Sequence, residues 1–400
     1  MIFHFLTKLF SNSFVMKKII FSLALLLSTF NVFGQTNADK LTENLEQLQR
    51  KSKFPGFAVA VVDKNGTVYK SGFGLASIEK RIPYTTRTIQ PIGSVSKTFI
   101  GVALMKAIEN GDLSLDTKIQ DALPFKIFNP YFPSEAITLR HLATHTSGIV
   151  DREEIYEKTY LKEEKTNNTP LKDFLTDYLN EKGKYFDKRN FADAKPGASF
   201  NYTNIGATLA AYAIEAKTNT SFADFTNKFI FKSLAMNDTS WFYEESKAEN
   251  YAVLYDPHRK PYPLYSSITY PDGSLRTSVE DLSKYLAEII KGNTGEGKIL
   301  SKESFQILLG KQFALDKLPN DLNPKEPNQG IFFVHRANGQ IGHTGSDLGV
   351  SAFLFFNPKT GIGKIFVANT DVSEDQTLAA QFAEIWKIVG ENEEKLIVRK

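Results

Sequence analysis

The 400-residue chain contains no cysteine, and that absence closes several routes at once. A disulfide framework, a lipid-modified cysteine anchor and a thiolate nucleophile are all excluded, so stability must come from a packed core. Net charge is just as sparse, since 48 Lys+Arg against 45 Asp+Glu leave a formal +3. The basic residues are dispersed, with no stripe or cluster of the kind that holds nucleic acid. No internal repeat or low-complexity linker interrupts the chain. No G-x-S-x-G elbow occurs, which argues against an α/β-hydrolase. His141 and His145 stand four apart, but the acidic residue of His-Glu-x-x-His is missing and no third ligand is evident. Neither a metal nor another cofactor is expected, and the two histidines read as internal hydrogen-bond partners at a helix end. Arg276 reads as structural too.

What is present begins with a leader. Met16-Lys17-Lys18 precedes an apolar run and then Asn-Val-Phe-Gly34-Gln, the pattern of a secretory signal peptide. Residues 1–15 lie upstream of this complete leader, consistent with a start codon assigned too early. Export to the periplasm or medium is the expectation, with no membrane span once the leader is removed. The remaining length exceeds the usual ~100–200 residues of one domain, so two domains or one elaborated domain are expected.

Ala38 to Ser52 has helical spacing. Phe57–Val62 and Thr67–Tyr69 are strand-like and flank Asn65-Gly66, a strong hairpin signal. Residues 91–269 are mostly helical, with a highly charged stretch over 151–195. Thr277-Ser278-Val279-Glu280 carries a capping-box pattern and opens a helix through Leu282–Ile290. A Pro/Asn-rich loop spans 310–330, and neither it nor 151–195 has readable chemistry. Strands are predicted at 331–336, 350–356 and 363–369, and a last amphipathic helix at 375–389. Strands at both ends with helices between predict one sheet assembled from both termini, with a helical insertion beside it.

Three short constellations carry chemistry. In Gly93-Ser94-Val95-Ser96-Lys97, a tight turn runs into a helix and places Lys97 one turn from Ser94 on the same face. A serine hydroxyl needs a base, and an amine at a helix start can serve. Tyr202-Thr203-Asn204 follows a Pro-Gly turn and precedes a helix. Its phenol can act as a base only where a cation such as Lys97 favours the phenolate, while the Asn204 amide can hold a substrate amide. His343-Thr344-Gly345 reads as a glycine-opened strand edge, and the N–H of Ser346 can pair with that of Ser94 as an oxyanion hole. Each pattern has a decoy: Ser77–Lys80 lacks a following helix and reads as a solvated turn, Tyr178–Asn180 sits inside a helical run, and Pro358–Gly361 is a hairpin turn.

Taken in order, Ser-x-x-Lys, Tyr-x-Asn and His-x-Gly resemble the serine β-lactamase / penicillin-binding family, and Tyr-x-Asn its class C branch. That branch includes class C β-lactamases, D-alanyl-D-alanine carboxypeptidases, D-aminopeptidases and esterases. Ile137–Leu142 with His145–Gly148, Tyr270–Leu275 and Gly342–Gly345 support the likeness. It implies an α+β fold of β-lactamase/transpeptidase type: an antiparallel sheet flanked by helices, an adjoining all-helical domain, and the site between them. The implied division is a leader at 1–35, a hydrolase domain at 36–390 and a polar tail at 391–400. The sheet would come from 38–90 and 270–390, and the helical region from about 91–269. Implied roles are Ser94 as nucleophile, Lys97 as its activator and Tyr202 as general base. Asn204, His343, Thr344 and Gly345 would contact substrate, with Ser94 and Ser346 N–H groups at the oxyanion.

The expected activity is hydrolysis through an acyl-enzyme, on D-amino-acid peptides of peptidoglycan type or on small esters. A class C-like β-lactamase and a non-catalytic sensor of muropeptides or β-lactams are the alternatives. Oligomeric state is left open. One departure matters: the β-lactamases and many carboxypeptidases of the family carry lysine where this chain has His343. Histidine is mostly neutral near pH 7, so recognition of a free substrate carboxylate is expected to be weakened.

Overall fold

Thr36 starts the first described element. Its hydroxyl accepts from Asp39 N–H while the Asp39 carboxylate accepts from Thr36 N–H, a capping box that opens helix α1, Asn37–Lys51. Leu41 and Leu45, one turn apart, form its buried stripe. The computed structural model describes residues 36–397 except 166 and 168, so the expected leader lies outside the described residues.

Strands β1 (Gly56–Asp63) and β2 (Gly66–Ser77) form the hairpin predicted at Asn65-Gly66, and β2 runs well past Tyr69. Gly66 has φ +128°, open to glycine alone. A short β3 (Ile82–Pro83) borders β2. The other strands of this sheet come from the far end of the chain: β4 (Asn328–Gln329), β5 (Val334–His335), β6 (Ile341–Asp347), β7 (Val350–Asn357) and β8 (Ile362–Ala368). Their order is β3-β2-β1-β8-β7-β6-β5-β4, with every adjacent pair antiparallel. Phe57 lies opposite Ala368 and Val62 opposite Gly363, so chain ends meet at the middle of the sheet.

The alternation of β1 explains the layers. Phe57, Val59 and Val61 join Leu41, Phe366, Leu378, Ile385 and Val389 in a core beneath α1 and the C-terminal helix. Ala58, Ala60 and Val62 point the other way, into a larger core shared with the helices that bear the site. Those helices are α2 (Ser96–Glu109), α3 (Asn204–Thr218) and α4 (Val279–Asn293), and the C-terminal helix is α5 (Gln376–Leu396). Small residues on the sheet let α4 approach closely: a Cβ on Gly363 would lie 2.6 Å from Leu286 Cδ2. The fold is α+β, as expected.

Four details differ from the sequence expectation. Helix α5 continues to Leu396 and absorbs most of the stretch predicted as a polar tail, because Leu396 and Ile397 pack against the same core as Val389. Only Val334–His335 of the predicted strand 331–336 pairs in the sheet, since Ile331 N–H bonds Leu308 O and Phe332 N–H bonds Ala143 O. The region between residues 91 and 269 is not purely helical: Gln90–Pro91 pairs with Arg276–Thr277, and Tyr160–Lys162 with Tyr265–Ser267. Ser77 is buried rather than solvated, and its hydroxyl accepts from Lys80 N–H.

Candidate active site

Ser94 sits in a single 3-10 turn, Gly93–Val95, that leads directly into α2. Lys97 follows in the first turn of α2 and is fully buried. Its Nζ lies 3.1 Å from Ser94 Oγ, 2.7 Å from Asn204 Oδ1 and 2.8 Å from the Asp272 carbonyl oxygen. Two of these partners are carbonyl oxygens and only accept. The third is a hydroxyl and can take either role. The same geometry therefore serves Lys97 as an ammonium steadying a Ser94 alkoxide, or as an amine receiving the Ser94 proton.

Asn204 is the first residue of α3, and the turn before it presents Tyr202. The carboxylate of Asp151 holds this turn: it accepts from Thr203 Oγ1 at 2.6 Å, Asn204 N–H at 2.6 Å and Ile205 N–H at 3.0 Å. These are helix-start donors that would otherwise lack partners, and the negative charge suits the positive end of the helix. The Tyr202 ring centroid is 5.0 Å from Lys97 Nζ, and its other neighbours are His145 at 4.4 Å and His343 at 6.2 Å between ring centroids. His145 adopts φ +55°, an uncommon backbone state, and its Nδ1 accepts from Thr203 N–H at 3.3 Å. Burial, then the nearby Lys97 and His343, hold the His145 imidazole neutral.

The third side of the cleft is β6. This strand pairs with β7 along its whole length but with β5 only at Ile341 and Gly342, so one edge is open from His343 onward. A Cβ on Gly345 would stand 2.0 Å from Ile92 O and 3.1 Å from Ser94 N. One on Gly93, whose φ is +51°, would stand 2.8 Å from Ser346 N. Glycine at both positions lets the backbone segments that carry Ser94 N and Ser346 N pack closely against each other.

His343 is buried, and its Nδ1 stands 2.5 Å from the Thr344 carbonyl. A carbonyl only accepts, so Nδ1 carries the proton and Nε2 is left as an acceptor. Burial lowers the His343 pKa to about 4, with Lys97 and Arg336 adding to the effect. Asp272 behaves oppositely. Its carboxyl is buried, accepts from Tyr156 OH at 3.0 Å and Thr208 Oγ1 at 3.1 Å, and is pushed up to about 7 by desolvation against the opposing pull of Lys97.

All the residues expected at the site thus fall around one cleft of about 380 Å³, whose lining includes Ser94, Tyr202, His343, Thr344 and Ser346. Lys97, Asn204 and Gly345 sit immediately behind them. The decoys are elsewhere: Tyr178 OH donates to Val150 O, and the Asn180 side chain bonds Lys126 O. Among the described residues no group of acidic and histidine side chains is arranged to hold a metal. His141 completes a capping box with Thr138, and the guanidinium of Arg276 bonds Ser274 O and Tyr265 O. Sequence reasoning missed His145 as a site neighbour, Asp151, Asp272 and the loop residue Glu326, which also lines the cleft. Asp151 and Glu326 lie in the two stretches that had no readable pattern. Asp272 had one signal: it directly follows the Tyr270-Pro271 turn already associated with the family.

Geometry of this kind belongs to serine hydrolases that form acyl-enzymes. The Beta-lactamase family model matches residues 41–385, and the chain belongs to that family. It is similar to Protein flp of Staphylococcus aureus strain N315, with 25% identity over 346 residues, covering 84% of this chain and 63% of that protein. Penicillin-binding protein 4* of Bacillus subtilis strain 168 is 26% identical over 269 residues, covering 63% of this chain and 55% of that protein. The chain thus spans less than two thirds of the length of these curated relatives. Among solved structures, the octameric penicillin-binding protein homologue from Pyrococcus abyssi superposes with a TM-score of 0.65 at 26% identity, covering 83% of this chain and 73% of that one.

Proposed function

We propose that this protein hydrolyses D-amino-acid peptides of peptidoglycan type, or small esters, through a Ser94 acyl-enzyme. The observation that carries the proposal is the Lys97 ammonium or amine at 3.1 Å from Ser94 Oγ, tied at the same time to Asn204 and Asp272. Ser94 attacks the carbonyl carbon, its proton passes to Tyr202 with Lys97 beside it, and the N–H groups of Ser94 and Ser346 receive the oxyanion. The intermediate then collapses as the C–N or C–O bond breaks, Tyr202 gives the proton to the leaving amine or alcohol, and the Ser94 ester remains. Tyr202, free of that proton, takes one from water as the oxygen attacks the ester, and passing it to Ser94 Oγ releases the acid and restores the serine. β-Lactam turnover is the lesser activity here, because the neutral His343 offers no cation for the carboxylate of such a substrate.

A non-catalytic sensor would use the same pocket without turnover. Labelling with a fluorophosphonate and with a fluorescent penicillin separates the cases. The expected result is one label per chain, lost in Ser94→Ala, with rapid recovery of free enzyme after a β-lactam or ester. Persistent labelling would identify a sensor, and no labelling would refute the acyl-enzyme. The leader pattern at Met16–Gln35 supports a further proposal of export, checked by fractionating cells that express the full chain.

A further inference from the structure

The walls of the catalytic cleft have an unusual charge balance for a protein that would grip an anionic substrate. Among the described residues its lining includes one carboxylate, Glu326, and no lysine or arginine. Lys97 is fully buried behind the serine, with all three of its contacts made. His343, the other nitrogen base in the wall, gives its Nδ1 proton to Thr344 O and keeps a lone pair on Nε2. Phe200 and Tyr202 add aromatic rings to the lining, and the face of an aromatic ring attracts cations. The cation that feels Glu326 is Arg336, which is partly buried with its guanidinium 4.0 Å from the Phe355 ring. Among the described residues no ion pair joins Arg336 to Glu326, so the carboxylate is not spent on a protein partner.

From this arrangement we infer that Glu326 is a specificity-determining residue and that the preferred substrates carry an ammonium group. The inference rests on the acyl-enzyme proposal and narrows its substrate class. A partly buried carboxylate beside aromatic rings and an imidazole acceptor stabilises a bound ammonium. The same wall repels a substrate carboxylate, while the two cations that act on it are already engaged, Arg336 on the Phe355 ring and Lys97 on its three oxygen partners. Glu326 approaches from the loop that leads into β4 rather than from the catalytic elements. Its charge therefore acts on binding and leaves the Ser94–Lys97–Tyr202 arrangement to other residues.

Three p-nitrophenyl esters of equal chain length, ending in ammonium, acetamide or carboxylate, test this. For the native protein kcat/KM should fall in that order, with about a tenfold or greater spread between the end members, equivalent to about 1.4 kcal/mol. In Glu326→Gln the ammonium-to-carboxylate ratio should fall towards one, and in Glu326→Lys it should invert. High ionic strength should shrink the native ratio. A flat native series, or a ratio unchanged in both variants, would overturn the inference. If the esters are not turned over, the same ranking is read as protection of Ser94 from fluorophosphonate labelling. Absence of labelling would remove the acyl-enzyme proposal and this inference with it; labelling with a flat ranking removes the inference alone.

Discussion

Burial acts on His343 and Asp272 in opposite directions. His343 is held neutral, with a pKa of about 4 against the ordinary 6.5. Between those values the unfolded chain binds a proton that the fold refuses. This contribution is complete above pH ~6.5 and falls by about 3 kcal/mol as pH drops to 4. Asp272 has its pKa raised from 3.8 to about 7, so here the fold keeps a proton that the unfolded chain releases. That contribution is complete below pH ~3.8 and is lost as pH rises through 7, by about 4 kcal/mol. Stability measured by urea denaturation should therefore fall off on both sides, with His343 contributing to the acid limb and Asp272 to the alkaline limb. In Asp272→Asn the alkaline loss should shrink by several kcal/mol. An unchanged alkaline limb in that variant would contradict the assignment. The same variant keeps the backbone carbonyl that accepts from Lys97 Nζ, so a slower acylation would report the loss of the Asp272 charge that acts on Lys97 through space.

At the scale of elements, the site is a meeting of starts and edges. Ser94 lies in the turn before α2, Asn204 begins α3, and β6 offers an open edge. Each is a place where backbone groups are left unpaired by regular structure and can serve a ligand. Asp151 satisfies the start of α3, so Asp151→Ala should leave buried N–H groups unpaired and cost about 1–3 kcal/mol of stability. It should also release Tyr202 and Asn204 from their position. The expected kinetic signature is a tenfold or greater fall in kcat with a smaller change in KM, and recovery in Asp151→Glu short of the native rate. Loss of stability with kcat unchanged would make Asp151 a helix cap without influence on the site. Gly345 shows the same principle from the strand side, since any Cβ there collides with Ile92 O before a ligand can approach.

For the whole molecule, the consequential contact is β1 against β8, which joins Phe57 to Ala368. This pairing thus needs both ends of the chain, and it places Phe57 and Phe366 in one aromatic cluster with ring centroids 5.6 Å apart. A chain ending at Asn357 would lack β8 and α5, leaving one edge of β1 unpaired and its Phe57 face short of cover. It should show no cooperative melt by far-UV circular dichroism. A native-like spectrum with a sharp transition would mean that the β1–β8 pairing is dispensable. Pairing across so long a sequence separation also predicts slow refolding compared with helical proteins of similar size.

Much of this was legible locally. The Asn65-Gly66 hairpin, the helix begun at Ser278 and the Ser94, Tyr202 and His343 motifs each depend on a few neighbouring residues, whose turn, cap or alternation preferences act over one or two turns of chain. Residues 331–333 were misjudged because their β-rich composition was overridden by bonds to Leu308 and Ala143, far away in sequence. Glu326 and Asp151 carried no signal for the same reason: a lone carboxylate in a charged loop gains meaning only from what the fold sets against it. By itself the sequence determined that Ser94 and Lys97 stand one turn apart at a helix start, and the α+β plan, since these follow from short-range spacing. Only the tertiary structure decided the charge of the cleft, because burial and distance, which shift His343 and bring Glu326 to the wall, are properties of the assembled chain.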